Sequence, residues 1–194
     1  MDVTTVIFLY GILAVVAILI LVWFGLMAIV SRLSDGVAES FANLRAGLTP
    51  MALIGAWIVA LLAMGGSLYF SEVAHFQPCL LCWYQRIAMY PLVLILGIAV
   101  FRRDIPVRIY AIPLAAVGAV ISTYHYFLEW FPEIDTGACT VGIPCTQVWF
   151  REFGFVSLPF LALMAFLLII AFLAIPARGA SARTADTHEE ETEA

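Results

Sequence analysis

The sequence contains no lysine, and charged residues of all kinds make up only 12% of its 194 residues. Soluble domains carry about 25% charged and roughly 45–50% apolar residues, whereas this chain is 64% hydrophobic with a mean hydropathy of +1.04. A soluble globular domain is therefore excluded, and an all-α integral membrane protein is predicted. No stripe of basic and aromatic residues is present, so we expect membrane lipid and not nucleic acid as a partner.

Five apolar segments are long enough, at around 20 residues, to cross ~30 Å of hydrocarbon as a helix. They are Val6–Val30, Met51–Phe70, about Trp83–Phe101, about Val107–Phe127 and Phe155–Ile175. The first lacks a basic leader and exceeds the ~7–15 residues of a signal-peptide core. It is therefore predicted to be an uncleaved transmembrane helix.

Most of the arginines lie on one side of these spans. Seven of the nine fall in the first linker, around the end of the third span or after the last span, at Arg32, Arg45, Arg102, Arg103, Arg108, Arg178 and Arg183. Because positive residues favour the cytoplasm, we expect a multi-pass protein of the bacterial cytoplasmic (inner) membrane. Its N-terminus would be outside and its C-terminus cytoplasmic, with loops 71–82 and 128–154 extracytoplasmic.

This pattern divides the chain into four parts: an extra N-terminal transmembrane helix (1–31), a cytoplasmic amphipathic linker (32–50), a four-helix membrane domain (51–176) and an acidic cytoplasmic tail (177–194). Apolar residues at helical spacing predict a short helix on the inner leaflet within the linker. The tail holds five acidic residues among its last nine, a composition typical of disorder.

All four cysteines lie in or beside the two expected external loops, where disulfides persist. Cys79 and Cys82 have the CxxC spacing of redox dithiols, and the even division suggests one pair per loop without fixing connectivity. A helix N-terminus and a nearby cation lower the pKa of a thiol. Arg86, one turn after Cys82, would therefore stabilise a Cys82 thiolate or a reduced cofactor, the alternative being an arginine that only reaches for the headgroups.

Cys139 and Cys145 lie in GACTVGIPCTQV, whose glycines and proline indicate turns. We expect a mobile, exposed loop in which the two cysteines form either a structural disulfide or a docking disulfide for a soluble partner. The following Trp149, Phe150 and Phe153 are typical of a segment that rests on the outer leaflet. Such a segment would hold the loop near the first cysteine pair.

Two cysteine pairs on one face of a membrane protein predict thiol–disulfide exchange between them. Electrons would pass from an external dithiol through Cys139/Cys145 to Cys79/Cys82 and then need an acceptor. The sequence has no dinucleotide or flavin motif and no paired in-span histidines for haem. A lipid-soluble quinone, either ubiquinone or menaquinone, would meet Cys82 at membrane depth.

Four features in a fixed order resemble the DsbB family of disulfide bond formation proteins: PCLLCWYQR, YHYFLEW, a two-cysteine loop and FGFVSLPFLAL. The short loop spacing and the last segment are most similar to the BdbC branch. The resemblance covers roughly Met51 to Ile175 and implies a four-helix transmembrane bundle, here with one extra N-terminal transmembrane helix. It also implies a protein-dithiol:quinone oxidoreductase that reoxidises an extracytoplasmic thioredoxin-fold oxidase of the DsbA or BdbD kind.

The resemblance also implies roles for single residues. Cys82 would face the quinone, and Cys79 would exchange with the loop pair. Arg86 and His125 would support the quinone, although a histidine at the end of a span is also a common interfacial residue. No metal site is implied.

In the loop pair, Cys139 would form the mixed disulfide with the soluble oxidase and Cys145 would resolve it.

Three alternatives to this function remain. A vitamin K epoxide reductase-like enzyme is opposed by the order of the motifs, since its CxxC follows the loop pair. The others are a zinc site built from the four cysteines and a non-catalytic membrane protein with structural disulfides. The quinone type, the donor, the order of attack, the oligomeric state and the role of the extra helix stay open.

Overall fold

The computed structural model describes residues 2–33, 35–135, 139 and 142–175, with the backbone alone for 35–50. This part of the chain folds into helices without a named strand, which confirms the predicted all-α class. The helices are α1 (Val3–Val30), α2 (Asp35–Leu68), α3 (Leu80–Arg102), α4 (Arg108–Trp130) and α5 (Leu158–Leu173). A π-helical turn, Tyr69–Val73, extends α2, and 3-10 turns at Ile105–Val107 and Pro132–Ile134 flank α4.

Four helical segments among the described residues are long and apolar enough to cross a membrane: Val3–Val30, Met51–Val73, Leu80–Arg102 and Ile105–Trp130. The fifth expected span forms the shorter helix α5, whose 16 residues rise only about 24 Å, against ~30 Å of hydrocarbon. It starts later than expected because Glu152 and Val156 pair across a tight turn. The chain is a multi-pass membrane protein.

The linker between the first two spans is helical along its backbone from residue 35 and forms the first part of α2, which continues without a break into the second span. Its predicted amphipathic face depends on side chains that lie outside the described part. The predicted acidic tail, 177–194, also lies outside the described residues.

Helices α2 to α5 form a closed ring in which α2 and α4 each pack against both α3 and α5. Without a hydrophobic driving force between helices in lipid, close van der Waals contact holds such a bundle together, and small residues permit it. Gly118 of α4 shows how close the contact is, since a Cβ there would lie 2.2 Å from the Phe166 ring of α5. The same role falls to fully buried alanines, among them Ala56, Ala60, Ala111 and Ala115.

The extra helix α1 packs outside this ring, against α5 and α2. Its small Ala17 lies in a cluster with Met164 and Leu168 of α5. The Tyr10 hydroxyl donates a hydrogen bond of 3.0 Å to the Leu62 carbonyl of α2. Of the roles that the sequence left open for this helix, packing on the bundle is therefore observed.

Candidate active site

Cys79 caps the N-terminus of α3, and this places its sulfur where the first helical N–H groups point. Its backbone is extended, and its Sγ accepts a hydrogen bond of 3.3 Å from the Cys82 backbone N–H. The Sγ atoms of Cys79 and Cys82 lie 2.9 Å apart. The third span, expected from about Trp83, therefore begins earlier, because Cys79 holds the capping position and Cys82 is the third helical residue.

The capping position has an electrostatic consequence. The pKa of Cys79 falls from 9.0 to about 4, chiefly because the Cys82 side chain donates a hydrogen bond to it. The His125 imidazole and the Cys82 backbone N–H lower the pKa further, while burial raises it. Helix N-termini and donors of this kind stabilise thiolates in general. When the CxxC pair is reduced, Cys79 is therefore the cysteine that ionises to a thiolate.

His125 of α4 lies between the two cysteine pairs and is only 2% exposed. Its Nε2 is 3.6 Å from the Cys79 sulfur and 3.1 Å from the Cys145 carbonyl oxygen. Its Nδ1 is 3.2 Å from the side-chain nitrogen of Gln85. Since the Gln85 amide donates to Nδ1, the neutral imidazole carries its hydrogen on Nε2 and donates toward the Cys145 carbonyl. One ring thus contacts both cysteine pairs.

The loop cysteines form a disulfide, Cys139–Cys145, with a Cα–Cα distance of 5.7 Å. The expectation of an exposed loop is wrong for these residues, since Cys139 is 6% and Cys145 1% exposed. They are buried because the loop returns over the start of α3 and packs with Cys79 and Leu128 in one apolar cluster. The pairing also removes both residues as thiolate ligands for the four-cysteine zinc site.

Three side chains remain that can hold a metal ion when Cys79 and Cys82 are reduced. The sulfurs of these cysteines and a ring nitrogen of His125 lie within 4.8 Å of one another. Two thiolates and an imidazole are ligand types that Zn²⁺ accepts. A disulfide between the two cysteines would remove two of the three ligands.

Arg86 is held in place by α2. Its Nε donates to the Ser67 hydroxyl at 3.0 Å, and a terminal guanidinium nitrogen donates to the Ser67 carbonyl at 3.1 Å. The guanidinium also lies 5.2 Å from the centre of the Trp83 ring, within cation–π range. The side chain is thus fixed where the start of α3 meets α2 and has defined partners, unlike a free snorkelling arginine.

A cavity of about 300 Å³ opens beside these residues, between α1, α2, α3 and α5. Cys82, Gln85 and Arg86 line the end nearest the CxxC pair, and most of the remaining wall is apolar. His125 is not among the lining residues; Gln85 joins its ring to the cavity wall. The CxxC segment therefore has the loop disulfide on one side and an apolar cavity on the other.

Comparison with known proteins agrees with this arrangement. The family described as "Disulfide bond formation protein DsbB" matches residues 49–176. The chain is 53% identical to Disulfide bond formation protein C of Bacillus subtilis (strain 168) over 124 residues, which is 63% of this chain and 90% of that protein. This chain belongs to the DsbB family.

Two further relatives of this DsbB-family chain support the predicted BdbC branch. A probable disulfide formation protein C of Bacillus cereus (strain ATCC 14579) is 49% identical over 119 residues, covering 61% of this chain and 86% of that protein. A probable disulfide formation protein of Oceanobacillus iheyensis is 47% identical over 116 residues, or 58% and 79% of the two chains. No solved structure matches. Membership makes the chain a disulfide-forming oxidoreductase.

The aromatic segment after the loop packs on the bundle of this DsbB-family chain. The Trp149 ring stacks on Phe76 with centres 4.9 Å apart, and Phe150 lies 5.5 Å from Phe70. Phe153 contacts α1 and stays half-exposed. The sequence predicted a segment that holds the loop near the CxxC pair. The ring contacts of Trp149 and Phe150 with Phe76 and Phe70 fix the segment in that position.

Besides His125, the end of α4 carries a buried polar residue that sequence reasoning missed, Glu129. Its carboxylate accepts a hydrogen bond from the Ser157 hydroxyl at the start of α5. The Arg151 guanidinium donates to its backbone carbonyl at 3.3 Å and covers the Trp130 ring. The available signal was a carboxyl group one turn after His125, beside the predicted end of the fourth span, because ionisable groups near membrane depth are costly; α4 extends past it to Trp130. Gln85, three residues after Cys82, gave a similar signal.

Proposed function

We propose that the protein is a membrane thiol:quinone oxidoreductase that reoxidises an extracytoplasmic thioredoxin-fold oxidase. The observation that carries the proposal is the position of the CxxC pair between two partners. The loop disulfide packs against Cys79 in one buried cluster, and His125 contacts both pairs. Cys82 lines an apolar cavity on the other side.

The proposed relay consists of two thiol–disulfide exchanges. A donor thiolate attacks the Cys139–Cys145 disulfide, and the donor leaves as a disulfide while the loop pair becomes a dithiol. The loop dithiol then reduces a Cys79–Cys82 disulfide and is itself reoxidised. Each exchange moves two electrons and breaks one disulfide for each one formed. The loop thiolate attacks Cys79 and releases Cys82, and the second loop cysteine then resolves the mixed disulfide. The lowered pKa of Cys79 makes it a good leaving group in that resolving step.

The cavity fits a quinone. Ligand sites are typically apolar clefts of about 300–1,000 Å³ with a few placed polar groups, and this one has Cys82, Gln85 and Arg86 at its outer end. A bound quinone would accept two electrons and two protons from the Cys79/Cys82 dithiol and leave as hydroquinone. Arg86, held by Ser67, would favour negative charge at that end of the cavity.

The topology of the proposed enzyme follows from the same arrangement. The cysteines lie at the end of the bundle where α3 starts and α4 finishes. We place this end on the extracytoplasmic side, with the N-terminus outside and the C-terminus in the cytoplasm. Four of the six arginines whose side chains the structure describes lie at the opposite end, namely Arg32, Arg102, Arg103 and Arg108, and positive residues favour the cytoplasm. A soluble oxidase would then approach from outside, and the quinone would enter from the bilayer.

The relay is tested by quinone reduction with purified protein in detergent, using a reduced thioredoxin-fold donor and both ubiquinone and menaquinone analogues. We expect turnover in the wild type and none with Cys82→Ala. Cys139→Ala should stop oxidation of the protein donor while a small dithiol still supports quinone reduction. Arg86→Ala should raise the quinone KM, with Arg86→Lys as its charge-preserving control. No wild-type turnover with any donor or quinone, despite intact disulfides, would overturn the proposal.

A zinc protein is the rival that the Cys79, Cys82 and His125 group keeps open. Metal analysis of the purified protein separates the two. An enzyme whose CxxC cycles through a disulfide should carry much less than one zinc per chain, whereas a structural zinc site should be fully occupied.

A further inference from the structure

We propose that the extra helix α1 forms one wall of the quinone cavity and determines which quinone chains the protein accepts. This inference rests on the proposed function and adds to it a part of the chain that the DsbB family match, residues 49–176, does not reach. The ligand is a lipid-soluble quinone whose ring lies at Cys82 and Arg86 and whose chain lies along α1.

The first observation is the face that α1 presents. The α1 residues that line the cavity fall into two adjacent rows at steps of three and four, Tyr10–Leu13–Val16–Ile20 and Tyr10–Ala14–Ala17–Ile20. This is the spacing of one helix face. Ten residues of helix span about 15 Å, which is roughly half the thickness of the hydrocarbon core. The wall is therefore continuous along much of the cavity.

The second observation is that α1 is fitted to the bundle at this place. A Cβ on Gly66 of α2 would lie 2.6 Å from the Tyr10 ring, so the ring occupies the space that a side chain would need. The Tyr10 hydroxyl also bonds to the Leu62 carbonyl, and its ring lies 5.6 Å from Phe70. A hydroxyl at membrane depth needs such a partner. Tyr10 thus fixes α1 beside the outer end of the cavity.

The third observation is the change in polarity along the cavity. Polar groups lie near its outer end, where Ser67 and Arg86 meet, and the wall below is formed by apolar side chains such as Val59, Ile20 and Phe172. A ring with polar oxygens and a long hydrocarbon chain matches this gradient. Because α1 packs outside the ring of α2 to α5, it separates the ligand chain from the surrounding lipid on that side.

A matched pair of tryptophan substitutions tests the role of α1. Leu13 lines the cavity although it is 44% exposed, whereas Leu19 is 63% exposed and does not line it. Leu13→Trp should fill part of the cavity, and Leu19→Trp should only add bulk toward lipid. Each methylene displaced from an apolar site changes affinity about fourfold. Displacing two or more methylenes of the quinone chain should therefore weaken its affinity more than about tenfold.

The measurements are the KM for a long-chain and a chainless quinone and the rate of exchange between the donor and the loop disulfide. We expect Leu13→Trp to raise the long-chain KM more than about tenfold, to change the chainless KM much less, and to leave the exchange rate intact. Leu19→Trp should match the wild type in all three. If the two variants have equal effects and the wild-type protein reduces quinone, the proposed role of α1 is overturned and the proposed function stands.

A direct label keeps the inference testable if Leu13→Trp does not fold. A long-chain quinone with a photoreactive group at the end of its chain should cross-link to α1 in the wild-type protein, and excess unmodified quinone should prevent it. Labelling confined to α2, α3 and α5 would contradict the inference. Failure of the wild type to reduce any quinone would instead remove the proposed function on which it rests.

Discussion

The hydrogen bond between the two CxxC sulfurs makes a prediction about acidity that can be measured. In the reduced protein the pKa of Cys79 is about 4 instead of 9.0, and the largest cause is the Cys82 side chain. At pH 6.5 a thiol with a pKa near 4 is over ~99% ionised, whereas an ordinary one is under ~1% ionised. The rate of alkylation of Cys79 in the reduced protein should therefore change little with pH down to about pH 5.

The perturbation is Cys82→Ala, which removes the main donor and leaves the burial of Cys79 that opposes ionisation. The Cys79 pKa should rise by several units in this variant. Cys82→Ser keeps an O–H donor in the same place and should retain much of the lowering. Serines at Cys139 and Cys145 in every sample remove the competing loop thiols. The assay follows thiolate absorbance and the rate of reaction with iodoacetamide against pH.

The same shift affects stability with a definite sign. Because the folded pKa of Cys79 lies below its unfolded value of 9.0, its ionisation stabilises the reduced protein fully above pH 9. That contribution decreases as the pH falls and is gone below about pH 4. A thiolate stabilised in this way also makes the disulfide more oxidising. A wild-type pKa near 9, or an unchanged low pKa in Cys82→Ala, would refute the reasoning.

Three further predictions concern buried contacts. Gly118→Ala should destabilise the bundle by about 1–3 kcal/mol in detergent unfolding, because the new methyl group overlaps the Phe166 ring; unchanged stability would show that the two helices separate easily. Ser157→Ala should cost about 1–3 kcal/mol by removing the donor to Glu129, and Ser157→Thr, which keeps the hydroxyl, should cost less. Gln85→Leu should leave His125 without its fixed tautomer and slow exchange between the cysteine pairs; wild-type exchange would exclude that role.

The sequence was sufficient to predict the helices and to bring out the CxxC segment. Long apolar runs specify helices in lipid, because all backbone hydrogen bonds must then be made within the segment. α5 departs from its predicted length, since the turn that closes at Val156 depends on pairing with Glu152. Such pairing within a short loop is not visible in hydropathy.

The surroundings of the CxxC segment depend on contacts between residues far apart in the chain. Gln85 and His125 meet across 40 residues, and Arg86 meets Ser67 across 19. The burial of Cys145 results from the loop folding back onto α3. Turn residues alone predict an exposed loop, because they carry no information about what the loop contacts.

The burial of the loop disulfide separates the two exchanges of the proposed relay in space. A soluble donor needs access to a loop sulfur, yet both are almost completely covered while the loop lies on α3. Exchange with Cys79 instead needs the loop in the position observed, where the Cys145 carbonyl accepts from His125. One loop position therefore cannot serve both steps. The proposed quinone step has no such requirement, since Cys82 faces the cavity between the helices. In the proposed relay, a second cysteine pair on the loop would therefore let the CxxC pair stay at the membrane acceptor while the loop meets the soluble donor.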